Sequence, residues 1–185
     1  MGKVIYSMSA SLDGFVEDPD GGIGFTTPSE EVHQTSNDLV RSASAFLFGR
    51  RLYEVMEDPW RTIHAQDDAS PVEAEFAQIY LDTPRYVFSD TLETVPEGVT
   101  IVRSKDAVDE VARLKKETDG PLNLGGPELA ASLLDQIDEF WLYLAPVLIG
   151  GGKPYFPKGR DLNLRLIDSR TFDSGTVRLR YEPAS

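Results

Sequence analysis

The chain has 185 residues, with 18 basic against 31 acidic side chains and a formal charge of −13. That balance repels phosphate backbones and anionic membrane surfaces, so nucleic acid and membranes are excluded as expected partners. There is no cysteine, which rules out disulfides, thiolate metal sites, iron–sulfur clusters and thiol nucleophiles; redox chemistry would have to be borrowed from a cofactor. With 41% hydrophobic and 26% charged residues the composition is that of a folded chain, read as one domain over residues 1–185. No apolar run approaches the ~20 residues that span a bilayer, and the first residues hold no apolar signal core, so a cytoplasmic location is expected.

Residues 4–11 alternate in period two and read as a first strand. Residues 12–28, rich in glycine and proline, read as a long loop. Ser29 is a suitable N-cap for a helix that opens with Glu30 and Glu31 and buries Val32, Leu39, Val40 and Ala43. A short apolar strand at 45–48 stops at Gly49, and a helix begins at Arg50 with Leu52, Val55 and Met56 turned inward. A looser stretch over 58–71 precedes a short helix through Phe76, Ile79 and Tyr80, then a strand at 86–88 ending on Ser89-Asp90-Thr91. A brief strand at 101–102, a helix over 105–118 and a strand at 122–124 follow, the last running into Gly125-Gly126. Pro127 suits the first position of a helix, and 140–145 reads as a buried central strand. After the glycine turn at 150–152, alternating segments around Leu162, Leu164 and Leu166 and around Val177, Leu179 and Tyr181 read as an antiparallel end to the sheet. Strand and helix in alternation, closing on strands, predicts an α/β fold: a mixed, mainly parallel sheet with helices on both faces.

Three of these strand ends carry ligand chemistry. Glycines between a strand and a helix, as at Gly125-Gly126-Pro127, let a diphosphate approach backbone N–H groups at the positive end of a helix, although any tight turn also recruits glycine. Gly49-Arg50-Arg51 repeats the arrangement and adds two guanidinium groups, which bind phosphate bidentately or simply open a solvated helix. With Ser89 and Thr91 at a third strand end, the set would line one edge of an open sheet, where ligands of α/β proteins bind. Glu30, partly covered by Phe25, is a proton-donor candidate or a complement to the helix dipole. Asp13 either hydrogen-bonds a substrate or shapes a turn. His33 and His64 lack a second histidine at metal-ligand spacing, and residues 150–153 and 18–21 fail the phosphate-loop and calcium-loop patterns, so no metal site is expected.

Met8-Ser9-Ala10-Ser11-Leu12-Asp13-Gly14-Phe15, Phe48-Gly49-Arg50-Arg51-Leu52-Tyr53-Glu54, Leu124-Gly125-Gly126-Pro127 and Ala145-Pro146-Val147-Leu148-Ile149-Gly150-Gly151-Gly152 resemble, in order and spacing, the dihydrofolate reductase-like family. Within it the chain is most similar to the reductase domain of bifunctional riboflavin-biosynthesis enzymes and its stand-alone relatives. The resemblance implies a three-layer α/β/α fold binding NADPH. Gly125, Gly126 and Pro127 would lie at the diphosphate, Gly49, Arg50 and Arg51 at the adenosine-phosphate side, and Ser89 and Thr91 near the 2′-phosphate. It places Glu30 and Asp13 as catalytic candidates, and Phe15 and Phe25 on the substrate side. The implied reaction is hydride transfer to a carbonyl or imine carbon of a small heterocycle: a ribosylamino group in the riboflavin branch, a pterin ring in the folate branch. A homodimer is implied as well. Leu52 stands where the family usually has threonine, and Asp90 where relatives often carry a base. An acid there favours a ribose hydroxyl over a phosphate, which keeps NADH as an alternative cofactor and a non-catalytic nucleotide-binding protein as an alternative function.

Overall fold

The computed structural model describes residues 1–66 and 68–184. In chain order the strands are β1 (Val4–Ser11), β2 (Phe15–Glu17), β3 (Ala45–Gly49), β4 (Arg85–Phe88), β5 (Val99–Val102), β6 (Leu122–Gly125), β7 (Glu139–Ala145), β8 (Lys153–Pro154), β9 (Leu164–Thr171) and β10 (Val177–Pro183). The helices are α1 (Glu30–Val40), α2 (Arg50–His64), α3 (Pro71–Asp82), α4 (Ala107–Glu117) and α5 (Pro127–Ser132). Eight strands form one sheet in the order β5-β4-β3-β6-β1-β7-β10-β9, parallel from β5 to β7 and antiparallel at β7–β10 and β10–β9. This is the expected mixed α/β sheet with its antiparallel C-terminal end.

Side-chain alternation separates two apolar faces. Val4, Tyr6, Leu47, Leu122, Leu124, Phe140 and Leu142 pack with Val111 and Leu114 of α4 and Leu129 of α5. The intervening residues Phe46, Phe48 and Val87 pack with Tyr53 of α2 and Phe76 and Tyr80 of α3. Ile5, Trp141 and Tyr143 meet Val32 of α1 on that same second face. Past α1 it is covered by guanidinium groups: Arg180 and Arg178 on β10 lie 4.2 and 5.1 Å from the Trp141 ring centroid. Among the described residues no helix is long and apolar enough to cross a membrane.

Several expectations are corrected. Residues 12–28 are not all loop, because β2 pairs with β8 inside them and Gly24–Thr26 makes a 3-10 turn. That pairing is close: a Cβ on Gly152, which has φ +134°, would stand 1.9 Å from the Glu17 carbonyl oxygen. The looser stretch expected from Asp58 starts later, because α2 continues through Pro59 to His64. Trp60 holds that extra length down, its ring 4.4 Å from Phe76 and 5.7 Å from His33, and Arg61 reaches back to Glu57 at 2.5 Å. Ala43 falls beyond α1 rather than on its buried stripe, and Val55 of α2 is 43% exposed rather than turned inward. The first C-terminal strand lies later than Leu162, because its register with β10 runs from Leu164 to Thr171.

A polar network ties α1 to α3. Glu75 accepts from Arg41, Asn37 and Gln34, at 2.5, 2.9 and 2.9 Å. Arg41 first, then Asn37 and Gln34, holds its carboxyl below the ordinary 4.5, at about 2. A carboxyl whose pKa is depressed by folding stabilises the native state above its unfolded value and loses that contribution as pH falls through its folded value. Between pH 4.5 and 2 the wild type is therefore expected to lose more stability than Glu75→Gln. Urea denaturation at pH 7 and pH 3 checks this, and equal pH dependence of the two proteins would contradict it.

Candidate functional site

The parallel strands all end at one edge of the sheet, and there the two glycine junctions become neighbours. β3 lies beside β6 with Phe48 opposite Gly125, so Gly49 and Gly126 meet across one gap. Gly126 has φ +102°, a left-handed conformation that favours glycine, and a Cβ on it would lie 3.5 Å from the backbone nitrogen of Gly49. Gly49 is the N-cap of the 15-residue α2 and has no side-chain cap, which leaves first-turn N–H groups free for an anion. Leu52, the departure from the family's threonine, sits over Gly125, where an added Cβ would come within 2.4 Å of its Cδ2.

The third strand end is prefolded. The Ser89 hydroxyl oxygen accepts from the backbone N–H of Thr91 and Leu92 at 3.3 and 3.0 Å, and Arg103 donates to the Ser89 carbonyl at 2.8 Å. Asp90 accepts from the Ser104 N–H at 2.9 Å, and the Ser104 hydroxyl first, then this amide, holds its carboxyl below the ordinary value. Arg50 reaches across to the Thr91 hydroxyl while its Nε pairs with Glu54 at 2.7 Å.

These ends open into a cavity of about 1090 Å³, larger than the ~300–1,000 Å³ usual for a drug-sized ligand. The sequence-selected Gly49, Arg50, Arg51, Ser89, Thr91, Gly125, Gly126 and Pro127 all line it. Four other candidates do not. Glu30 is exposed on the first turn of α1, and Phe25 lies in the 3-10 turn before it. Phe15 pairs with Pro154 in the small β2–β8 ladder. Asp13 is tied into the chain: its carboxylate accepts from the N–H groups of Ile149 and Gly150 at 3.3 and 2.8 Å. The Ser11 hydroxyl, then these amides, hold its carboxyl below the ordinary value.

Sequence reasoning passed over the inner end of the cavity. It is lined by Ser7 and Ser9 of β1, Ser36 of α1, Asn123 of β6 and Tyr143 of β7, with Glu17 and Lys153 nearer β2 and β8. Polar residues alternating within strands as central as β1 and β6 were the available signal, since a strand covered on both faces is otherwise apolar.

A family model, the RibD C-terminal domain, matches residues 2–178. The chain belongs to that family. Within the RibD C-terminal family it is similar to YyaP of Bacillus subtilis, 27% identical over 97% of this chain and 94% of that one. Its fold is similar to the Thermotoga maritima diaminohydroxyphosphoribosylaminopyrimidine deaminase/5-amino-6-(5-phosphoribosylamino)uracil reductase, with TM-score 0.70 and 16% identity. That match covers 99% of this chain and 57% of the T. maritima chain, so the present chain spans little more than half of it. It is similar also to Enterococcus faecalis dihydrofolate reductase, solved with NADP(H) and RAB-propyl, with TM-score 0.67, 13% identity and coverage of 100% and 98%. The architecture is thus the dihydrofolate reductase-like α/β fold of the RibD C-terminal domain.

Proposed function

We propose that this protein is an NADPH-dependent reductase of a small heterocyclic substrate, acting on a carbonyl or imine carbon. The observation that carries the reading is the pair of adjacent glycine junctions at Gly49 and Gly126, opening on one cavity that continues inward over a polar floor. The residues present fit a dinucleotide: the Gly126 conformation leaves room that a Cβ would fill, and the uncapped start of α2 supplies N–H donors. When bound, the nicotinamide supplies a hydride to the acceptor carbon, and a proton completes the reduction at the adjoining heteroatom. Gly125, Gly126 and Pro127 would cradle the diphosphate, with Gly49, Arg50 and Arg51 beside it. Ser89 and Thr91 would face the 2′-phosphate, with Arg50 as the nearby cation. The protein's part is to orient the two reactants and keep water out. Calorimetric titration with NADPH tests this reading: saturable binding is expected, and its absence contradicts it.

A second reading, a dinucleotide-binding protein without turnover, is favoured by one observation: Glu30 and Asp13, the acids selected as catalytic, both stand outside the cavity lining. NADPH oxidation in the presence of a reducible aminopyrimidine riboside would eliminate it.

The partner proposed is a second copy of the chain in the cytoplasm. β9 is the outermost strand, and Leu166 on it is 49% exposed while Leu164 packs at the core margin, as the covered face of a two-fold interface would leave it. Light scattering should give twice the single-chain mass; a single-chain mass at working concentration contradicts the dimer.

A further inference from the structure

The inner end of the cavity differs in chemistry from its phosphate edge. Asn123 is 8% exposed and Tyr143 3%, yet Nδ2 of Asn123 and the hydroxyl of Tyr143 have no hydrogen-bond partner among the described residues. Both line the cavity. Buried polar atoms are nearly always paired, so two orphans on one cavity floor are donors awaiting an occupant. Burial raises the Tyr143 phenol above its ordinary value, with Ser36 and Arg178 beside it pulling partly back, so it stays protonated and able to donate. Ser9 is its register neighbour on β1, which adds a hydroxyl to the same floor.

The cations nearest the chamber are already engaged: Arg178, beside Tyr143, pairs with Asp168 at 2.5 Å. Arg51 reaches Glu17 at 3.3 Å, and Lys153 reaches Glu17 at 3.7 Å and Glu128 at 3.0 Å. Glu17, its side chain 13% exposed, thus answers both of the cations nearest the substrate side. A phosphate ester entering here would displace a carboxylate from its cations and meet that carboxylate's charge at close range.

We infer that the inner chamber takes an uncharged heterocycle with a ring carbonyl and no phosphate ester, a substrate class that rests on the reductase reading above. Asn123 Nδ2 donates to the ring carbonyl oxygen, and the Tyr143 hydroxyl holds a second polar edge. This differs from the phosphorylated substrate in the name of the T. maritima relative.

The test uses the full chain saturated with NADPH and a matched pair of probes: 5-amino-6-(5-phosphoribosylamino)uracil and the nucleoside made by removing its phosphate. The nucleoside is expected to bind at least tenfold tighter than the ester. Asn123→Leu and Tyr143→Phe should each weaken the nucleoside several-fold and leave the NADPH affinity unchanged. Glu17→Gln, which removes the carboxylate facing Arg51 and Lys153 while Lys153 keeps Glu128, should instead improve binding of the ester. Equal or tighter binding of the ester by the wild type overturns the inference, as does failure to bind the nucleoside while NADPH still binds. Failure to bind NADPH is a different result, and it removes the reductase reading itself.

Discussion

Glu57→Ala is expected to lower the unfolding free energy by ~3–5 kcal/mol, the cost of leaving a buried charge without its partner. Arg85 at the start of β4 is 1% exposed, among the most buried large side chains of the protein. Its Nη1 donates to the carbonyls of Tyr80, Leu81 and Thr83, which gathers the end of α3 onto the sheet, and its Nε lies 3.5 Å from Glu57 Oε2. Glu57 is also buried, and it accepts from the Tyr80 hydroxyl at 2.8 Å and from Arg61 at 2.5 Å. Removing the carboxylate strands the guanidinium and the phenol together. Since folded domains are stable by only ~5–15 kcal/mol, a urea titration should show a large fall in midpoint. Arg85→Met removes the cation and fills the same space with apolar volume while Arg61 and Tyr80 still serve Glu57, so its loss should be smaller. A change below ~1 kcal/mol for Glu57→Ala, the scale of an exposed pair, would contradict the buried network.

Gly126→Ala is expected to weaken NADPH at least tenfold, or ~1.4 kcal/mol, with a comparable loss of stability. Alanine at φ +102° carries a left-handed backbone, costing ~1–2 kcal/mol. Its methyl group would also occupy the gap between the two glycine junctions, 3.5 Å from the Gly49 nitrogen. Gly49→Ala separates the two effects. Gly49 has φ −65°, an ordinary conformation, and its added Cβ would meet Leu129 at 3.7 Å, an ordinary contact. That variant should keep its urea midpoint while losing cofactor affinity. Unchanged NADPH binding in both variants would remove the glycine junctions from the site.

Much of the fold was legible because its signals are local. Ser29 caps α1 where the sequence places it, Gly49 and Gly126 mark strand-to-helix junctions, β1 announces itself by period-two alternation and β7 by an apolar run. The errors came where tertiary contacts override local preference. Pro59 argues against a helix interior, but Trp60 packed on Phe76 carries α2 past it. The β2–β8 pairing joins residues more than a hundred positions apart, and no turn signal in 12–28 foretells it. The edge of the cavity at Gly49 and Gly126 was legible because glycine junctions concentrate at strand ends. The inner chamber was not, because Asn123 and Tyr143 sit inside apolar strands and look like core until the cavity beside them is seen. Glu30, which the resemblance marks as a catalytic candidate, is presented to solvent by the first turn of α1.

The most direct measurement is paired calorimetric titration of NADPH and NADH into the purified protein, with Arg50→Ala in parallel. Asp90 is committed to the Ser104 amide, while Arg50, Ser89 and Thr91 converge at the same strand end. The account therefore predicts saturable NADPH binding at least tenfold tighter than NADH, most of that preference being lost with Arg50→Ala. NADH bound as tightly as NADPH would contradict the phosphate assignment, and binding of neither would contradict the reductase reading as a whole.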